Sequence, residues 1–114
     1  MTRVVIVGGG PGGYESALVA AQLGAEVTVV DRDGVGGSCV LTDCVPSKTL
    51  IATSEVMTLA ADSADLGVRF AGEEATPRSV TVDLGVVNDR VKRLASAQSV
   101  DIQARLEREG VRVI

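Results

Sequence analysis

The sequence predicts an α/β fold, a parallel sheet with helices on both faces, and three observations predict it. Residues 4–7 form a short β-branched run, VVIV, followed at once by a glycine-rich turn and a helical pattern. A second such run, residues 26–30, ends on an acidic residue, Asp31. Hydrophobic side chains make up 46% of the 114 residues but aromatics only 2%, the balance of valine-rich buried strands and alanine-rich helices.

The length suits one small domain and is too short for two. A net charge of -4 with no basic cluster argues against nucleic acid or an anionic membrane as partner. No apolar run approaches a membrane span, and residues 1–7 read as a strand start rather than a signal peptide, so the expected location is the cytoplasm. There is no histidine. Any histidine-dependent acid/base step must come from outside these residues.

Taken in order, Arg3 to Val7 is a continuous apolar strand fit for the middle of a parallel sheet. A helix follows, with Pro11 in its first turn, where a missing N–H costs nothing, and with Tyr14, Leu18 and Ala21, flanked by Ala17 and Ala20, as its packing face. Gly24 ends that helix, Glu26 to Val30 is the second strand, and Arg32 to Ser38 is a loop. A helix is expected from about Val45 to Ala61, with Leu50, Met57 and Ala61 on one side. Residues 62–83, with Gly67, Gly72, Pro77 and the pair Glu73-Glu74, read as a surface excursion, with residues 68–70 a short edge strand. A long amphipathic helix spans about Leu84 to Glu109, its stripe running through Val87, Val91, Leu94, Gln98, Ile102 and Leu106. Gln98 is expected at the boundary with a backbone partner, and Arg90, Lys92 and Arg93 on the solvated side. Gly110 closes the helix and residues 111–114 begin a third strand. A sheet of this kind needs more strands to cover its edges, so residues 1–114 are expected to be the N-terminal portion of a larger protein.

Gly8, Gly10 and Gly13 carry the G-x-G-x-x-G spacing between strand and helix, and Asp31 follows Gly10 by 21 residues. Alone, the glycine spacing is weak; between an apolar strand, a helix and an acid at the next strand end, it reads as a dinucleotide cradle. Gly8 permits the turn, Gly10 lets the backbone approach a pyrophosphate, and Gly13 lets helix lie close to strand. The helix N-terminus at Pro11, Gly12 and Gly13 brings a positive dipole end, and Asp31 can accept hydrogen bonds from ribose hydroxyls. Both NAD and FAD contain the ADP half that such a cradle holds, so the turn does not choose between them.

The segment from Gly36 to Lys48 reads GGSCVLTDCVPSK. Cys39 and Cys44 are five residues apart, a step that on a regular helix rises about 7.5 Å and turns about 140°, too far for a disulfide. A bond between them needs a break in the helix, and Pro46 supplies a reason for one. Cys44 lies just before a helix N-terminus, a place that favours thiolate, and Lys48 lies one turn beyond. Asp43 opposes that ionisation. The spacing is unlike that of zinc ligands, so no metal is expected. A thiolate and a cation beside a bound dinucleotide make a redox site.

At this segment the chain resembles the FAD-dependent pyridine nucleotide–disulfide oxidoreductases, the family of dihydrolipoamide dehydrogenase, glutathione reductase and mercuric reductase. Their pattern, G-G-x-C-x-N-x-G-C-x-P-S-K shortly after an N-terminal G-x-G-x-x-G, is matched by Gly36, Gly37, Cys39, Cys44, Pro46, Ser47 and Lys48. It departs at Leu41 in place of Asn and at Asp43 in place of Gly. The resemblance implies a Rossmann-like domain in which Gly8, Gly10, Pro11, Gly12 and Gly13 hold the FAD pyrophosphate. Asp31, with Arg32, would hold the adenosine ribose, and Gly36, Gly37 and Ser38 would complete the cofactor contacts. It implies Cys44 as the sulfur beside the flavin, Cys39 as the interchange sulfur, and Lys48 next to the flavin ring. It also implies NAD(P)H as co-substrate on a domain outside these residues, and a homodimer whose partner subunit brings a His-Glu pair. The wording VLTDCVPSKT after GGGPGGYE is similar to an actinobacterial branch of NAD(P)H–quinone dehydrogenases. The leading expectation is therefore an NAD(P)H-dependent flavoprotein reductase passing electrons to a quinone-type acceptor. The alternatives are a dihydrolipoamide dehydrogenase-type disulfide reductase and, from another class, a module that binds FAD or NAD without turnover.

Overall fold

The computed structural model describes residues 1–74, 76 and 78–114. Strand β1 is Arg3–Val7, helix α1 Pro11–Gln22, strand β2 Glu26–Val30, helix α2 Gly37–Leu41 and helix α3 Cys44–Asp62. After a 3₁₀ turn at Ser63–Leu66 come β3 (Arg69–Phe70), β4 (Glu73–Glu74), the long helix α4 (Leu84–Arg108) and β5 (Arg112–Val113). Among the described residues the strands form a parallel sheet in the order β1-β2-β5 and a small antiparallel pair, β3-β4. The sheet and its helices are Rossmann-like, as the valine runs and the glycine turn predict.

Pairing runs in register along β1 and β2, from Arg3 opposite Glu26 to Val7 opposite Val30, while Thr28 and Val29 face Arg112 and Val113 of β5. Side chains alternate across this sheet. Val27 and Val29 are buried, with Val4 and Ile6 packed beside them, against Ala17 and Leu18 of α1 and Leu106 of α4. Val35 and Val111 complete the same cluster. On the opposite side of β1, Val5 and Val7 are 67% and 86% exposed. Among the described residues β2 lies between β1 and β5.

Helix α1 starts on Pro11 and ends before Gly24, whose φ of +85° makes it the left-handed stop that the sequence predicts. Helices α3 and α4 pack along one another and draw the molecule out to 69 × 24 × 18 Å. Val40, Thr49, Val87 and Ala95 are buried on α2, α3 and α4, the three helices in mutual contact.

Four expectations change. The stretch expected as loop through Ser38 ends in a short helix, α2, because Gly36 and Gly37 take φ of +111° and +59° and turn the chain into a helical run. The packed side of α3 runs through Thr49, Thr53 and Met57 rather than Leu50, which is half exposed. The stripe of α4 passes through Ala95 and Ser99 in place of Leu94 and Gln98, both exposed, since four-residue steps from Val87 and Val91 lead there. Residues 62–83 hold more local structure than a bare excursion: α3 extends to Asp62 and Phe70 pairs with Glu73 in a hairpin. Pro77, expected in the same excursion, lies outside the described residues. Arg90, Lys92 and Arg93 are exposed as expected.

Candidate functional site

The site is built from two glycine-rich loops. In the first, between β1 and α1, Gly8 donates its N–H to the Val30 carbonyl at 2.8 Å, tying the turn to the end of β2. A Cβ at Gly13 would fall 1.9 Å from the Gly8 carbonyl oxygen, so only glycine lets α1 start this close to the strand. At Gly10 and Gly12 the opposite holds: a Cβ would meet nothing within 4 Å. The backbone there borders open space. The first N–H groups of α1 lack intrahelical partners, and no side chain caps them at Gly10. Open space, free donors and a dipole end suit a pyrophosphate.

The second loop runs from Asp31 to Gly37 and lies against the first. Gly36 donates its N–H to the Gly9 carbonyl at 2.7 Å. A Cβ at Gly37 would come within 2.8 Å of the Gly10 Cα, so the two loops touch backbone to backbone. Asp31 clasps them. One carboxylate oxygen accepts the Gly9 N–H at 2.6 Å, and the other accepts the N–H groups of Asp33 and Gly34 at 2.9 and 3.1 Å. The Gly9 bond, the largest cause, and then those of Asp33 and Gly34 hold the Asp31 carboxyl below its ordinary pKa, against the opposing effect of partial burial. Asp31, Gly37 and Ser38 line a depression of 570 Å³ together with Asp33, Leu41 and Thr42. Arg32 is exposed, and its guanidinium pairs in two-pronged fashion with the neighbouring Asp33 carboxylate at 3.0 Å.

The two cysteines sit on different helices. Cys39 is in the middle of α2 and Cys44 is the first residue of α3, with Thr42 and Asp43 forming the break between. Pro46, two residues into α3, is part of that start. Both sulfurs are free thiols; Cys39 is half-buried and Cys44 exposed. The Cys39 thiol is pushed above its ordinary pKa by hydrogen bonding to the Cys44 side chain, then by burial and by the charge of Cys44. Lys48 pulls it the other way, while Asp43 adds to the rise. Cys44, Lys48 and Asp43 thus all act on the Cys39 thiol. Lys48 is exposed one turn along α3 from Cys44.

Gly9, Asp33, Gly34 and Val35 hold this site together through backbone groups that no side-chain pattern advertises. Ser99, 64 residues beyond Val35, donates its hydroxyl to the Val35 carbonyl. Among the described residues no helix is long and apolar enough to cross a membrane.

A glycine turn opening a helix in a parallel sheet, clasped to a loop that leads into two neighbouring thiols, defines a Rossmann-like α/β domain with a thiol pair beside its glycine turn. The match to known proteins is specific: residues 2–114 fit the model of the pyridine nucleotide-disulphide oxidoreductase family, and the chain belongs to that family. The NAD(P)H dehydrogenase (quinone) of Mycobacterium tuberculosis is 49% identical over 117 residues, covering 100% of this chain and 23% of that protein. The dihydrolipoyl dehydrogenase of Acholeplasma laidlawii is 46% identical over 71 residues, covering 62% of this chain and 21% of that protein. Among solved structures, LpdA from Mycobacterium tuberculosis superposes with a TM-score of 0.86 at 47% identity, over 100% of this chain and 23% of that one. The chain spans about a quarter of the length of these relatives.

Proposed function

We propose that residues 1–114 bind the ADP half of FAD in an NAD(P)H-dependent oxidoreductase whose acceptor is a quinone, with the NAD(P)H site outside these residues. The observation that carries the reading is the backbone contact between the loops, Gly36 N–H to Gly9 carbonyl, which ties the glycine turn to the start of the helix that bears Cys39. In a chain of this family, 49% identical to a quinone dehydrogenase, that arrangement is best read as cofactor cradle plus redox pair.

In this proposal the α1 N–H groups at Gly12 and Gly13 hold the pyrophosphate and Gly8 and Gly10 keep the space before them clear. Pro11 fixes the helix start without adding a donor. Asp31 has two oxygens with about four acceptor directions, and three backbone bonds leave about one for a ribose hydroxyl. Arg32 flanks the adenosine side, and Gly36, Gly37 and Ser38 wall the depression on the other. FAD, when bound, supplies two-electron exchange between NAD(P)H and the acceptor. Cys39 and Cys44 can store one electron pair: closing their disulfide releases two electrons and two protons, and opening it takes them back. Lys48 holds a positive charge beside this pair.

A disulfide reductase of the dihydrolipoyl dehydrogenase kind is the second reading, favoured by the retention of both thiols in adjacent positions. Bound flavin is tested first, by the visible absorbance of the purified full-length protein; a full-length protein that is colourless and takes up no FAD ends both readings. Cys39→Ser then divides them. Quinone reduction that survives the substitution while lipoamide reduction is lost supports transfer to quinone straight from the flavin beside transfer to lipoamide through the thiols, and loss of quinone reduction as well overturns the straight transfer.

A further inference from the structure

Ser99 lies at the middle of α4, remote in sequence from every residue assigned to the cradle, yet its hydroxyl is the partner of the Val35 carbonyl. Val35 is 1% exposed and belongs to the main core cluster. Its carbonyl sits in the middle of the second loop, where a missing hydrogen bond would leave a buried acceptor unpaired. Immediately on either side are the two ties to the rest of the site: Gly34 N–H bonds the Asp31 carboxylate, and Gly36 N–H bonds the Gly9 carbonyl. Gly34 itself runs close under the serine, a Cβ there falling 3.5 Å from the Ser99 Oγ. Gly37, two residues after Val35, begins the helix that carries Cys39.

We propose that Ser99 is a positioning residue for the cofactor cradle: through the Val35 carbonyl it fixes the Asp31–Gly37 loop on α4, and thereby sets both the clasp on Gly9 and the start of α2. Its effect on flavin affinity rests on the FAD reading above; its effect on the loop does not. A loop that must order before it can meet the first glycine turn adds an entropic cost to ligand binding, and a hydroxyl that orders it beforehand removes that cost.

The pair Ser99→Val and Ser99→Thr tests this, since the two side chains share a shape and only threonine keeps the hydroxyl. Val87→Ala, at a buried position of α4 outside the cluster that holds Val35, controls for general loss of stability. Hydrogen–deuterium exchange of the flavin-free protein is read on a peptide covering residues 31–41, and FAD affinity by quenching of flavin fluorescence. Ser99→Val should speed exchange of residues 31–41 about tenfold relative to β2 and weaken FAD binding about tenfold, with Ser99→Thr close to wild type on both. If Ser99→Val does not fold, Ser99→Ala takes its place against the same threonine variant. Exchange raised equally across β2, α1 and the loop, or raised equally by threonine and valine, overturns the proposal. Selective loosening in a protein that takes up no FAD keeps Ser99 as the anchor of the loop and removes the cofactor reading alone.

Discussion

One carboxylate oxygen of Asp31 lies 2.6 Å from the amide nitrogen of Gly9, across 22 residues of sequence. The acid at the end of β2 is therefore more than a candidate ribose acceptor: it closes the glycine turn onto the following loop. Each role needs the ionised form. A carboxylate accepts all three backbone N–H groups, whereas its protonated form has to give up an acceptor position.

That clasp makes stability depend on acid. The folded-state pKa of Asp31 is depressed, so its contribution is present above the unfolded carboxyl value and is lost as pH falls through the folded one. Urea unfolding from about pH 6 down to about pH 3 should show a falling midpoint, with a flatter profile for Asp31→Asn. Asp31→Ala removes all three bonds and should cost about 1–3 kcal/mol at neutral pH. An unchanged midpoint for the alanine variant at neutral pH would show that the clasp contributes nothing.

The glycines of the first loop separate into two kinds with opposite predicted outcomes. Gly13→Ala drives a Cβ to 1.9 Å from the Gly8 oxygen, and α1 has to move off the strand to relieve it. Loss of folding, or destabilisation of at least about 3 kcal/mol, is expected by thermal melt. Gly12→Ala meets nothing within 4 Å and sits near the start of a helix, so the fold should persist with unchanged or slightly higher melting temperature. Its new methyl projects into the space assigned to the pyrophosphate, and FAD binding should fall at least about tenfold. Equal melting behaviour of the two variants would refute the distinction.

Much of this was open to reading because local chemistry and tertiary structure agree. The valine runs, Pro11, Gly24 and Gly110 mark strand and helix limits within a few residues of those observed, since each acts through its own backbone. The sequence calls for a break between Cys39 and Cys44 only on condition of a disulfide; the structure has the break, at Thr42 and Asp43, with both thiols free. The short helix α2 was not legible, because it hangs on two left-handed glycines whose conformation is set by contact with Gly9 and Gly10. Nor was Ser99: choosing between Gln98 and Ser99 on α4 requires knowing which side meets Val35, a contact 64 residues distant.

Helix α4 carries a start signal of its own. The Asp83 carboxylate accepts the N–H groups of Gly85 and Val86 at 2.9 and 3.1 Å, capping the helix that presents Ser99. Asp83→Ala should cost about 1 kcal/mol, and Asp83→Ser should recover most of it. Circular dichroism on denaturant titration provides the measurement. Parity of alanine with wild type would mean that packing on α3 alone holds the helix end.

The two thiols should differ in reactivity. Cys44 is exposed, while Cys39 is half-buried and its pKa is raised, first by hydrogen bonding to the Cys44 side chain. Limiting iodoacetamide at neutral pH should therefore label Cys44 before Cys39, as mass spectrometry of the reduced protein would reveal. Cys44→Ser removes the thiol partner that raises the Cys39 pKa, so the labelling of Cys39 should speed up and its pH midpoint move down. The two charged neighbours should act in opposite directions: Lys48→Gln moves that midpoint up and Asp43→Asn moves it down. If Cys39 reacts first in the wild-type protein, or ignores all three substitutions, the thiols are not electrostatically joined.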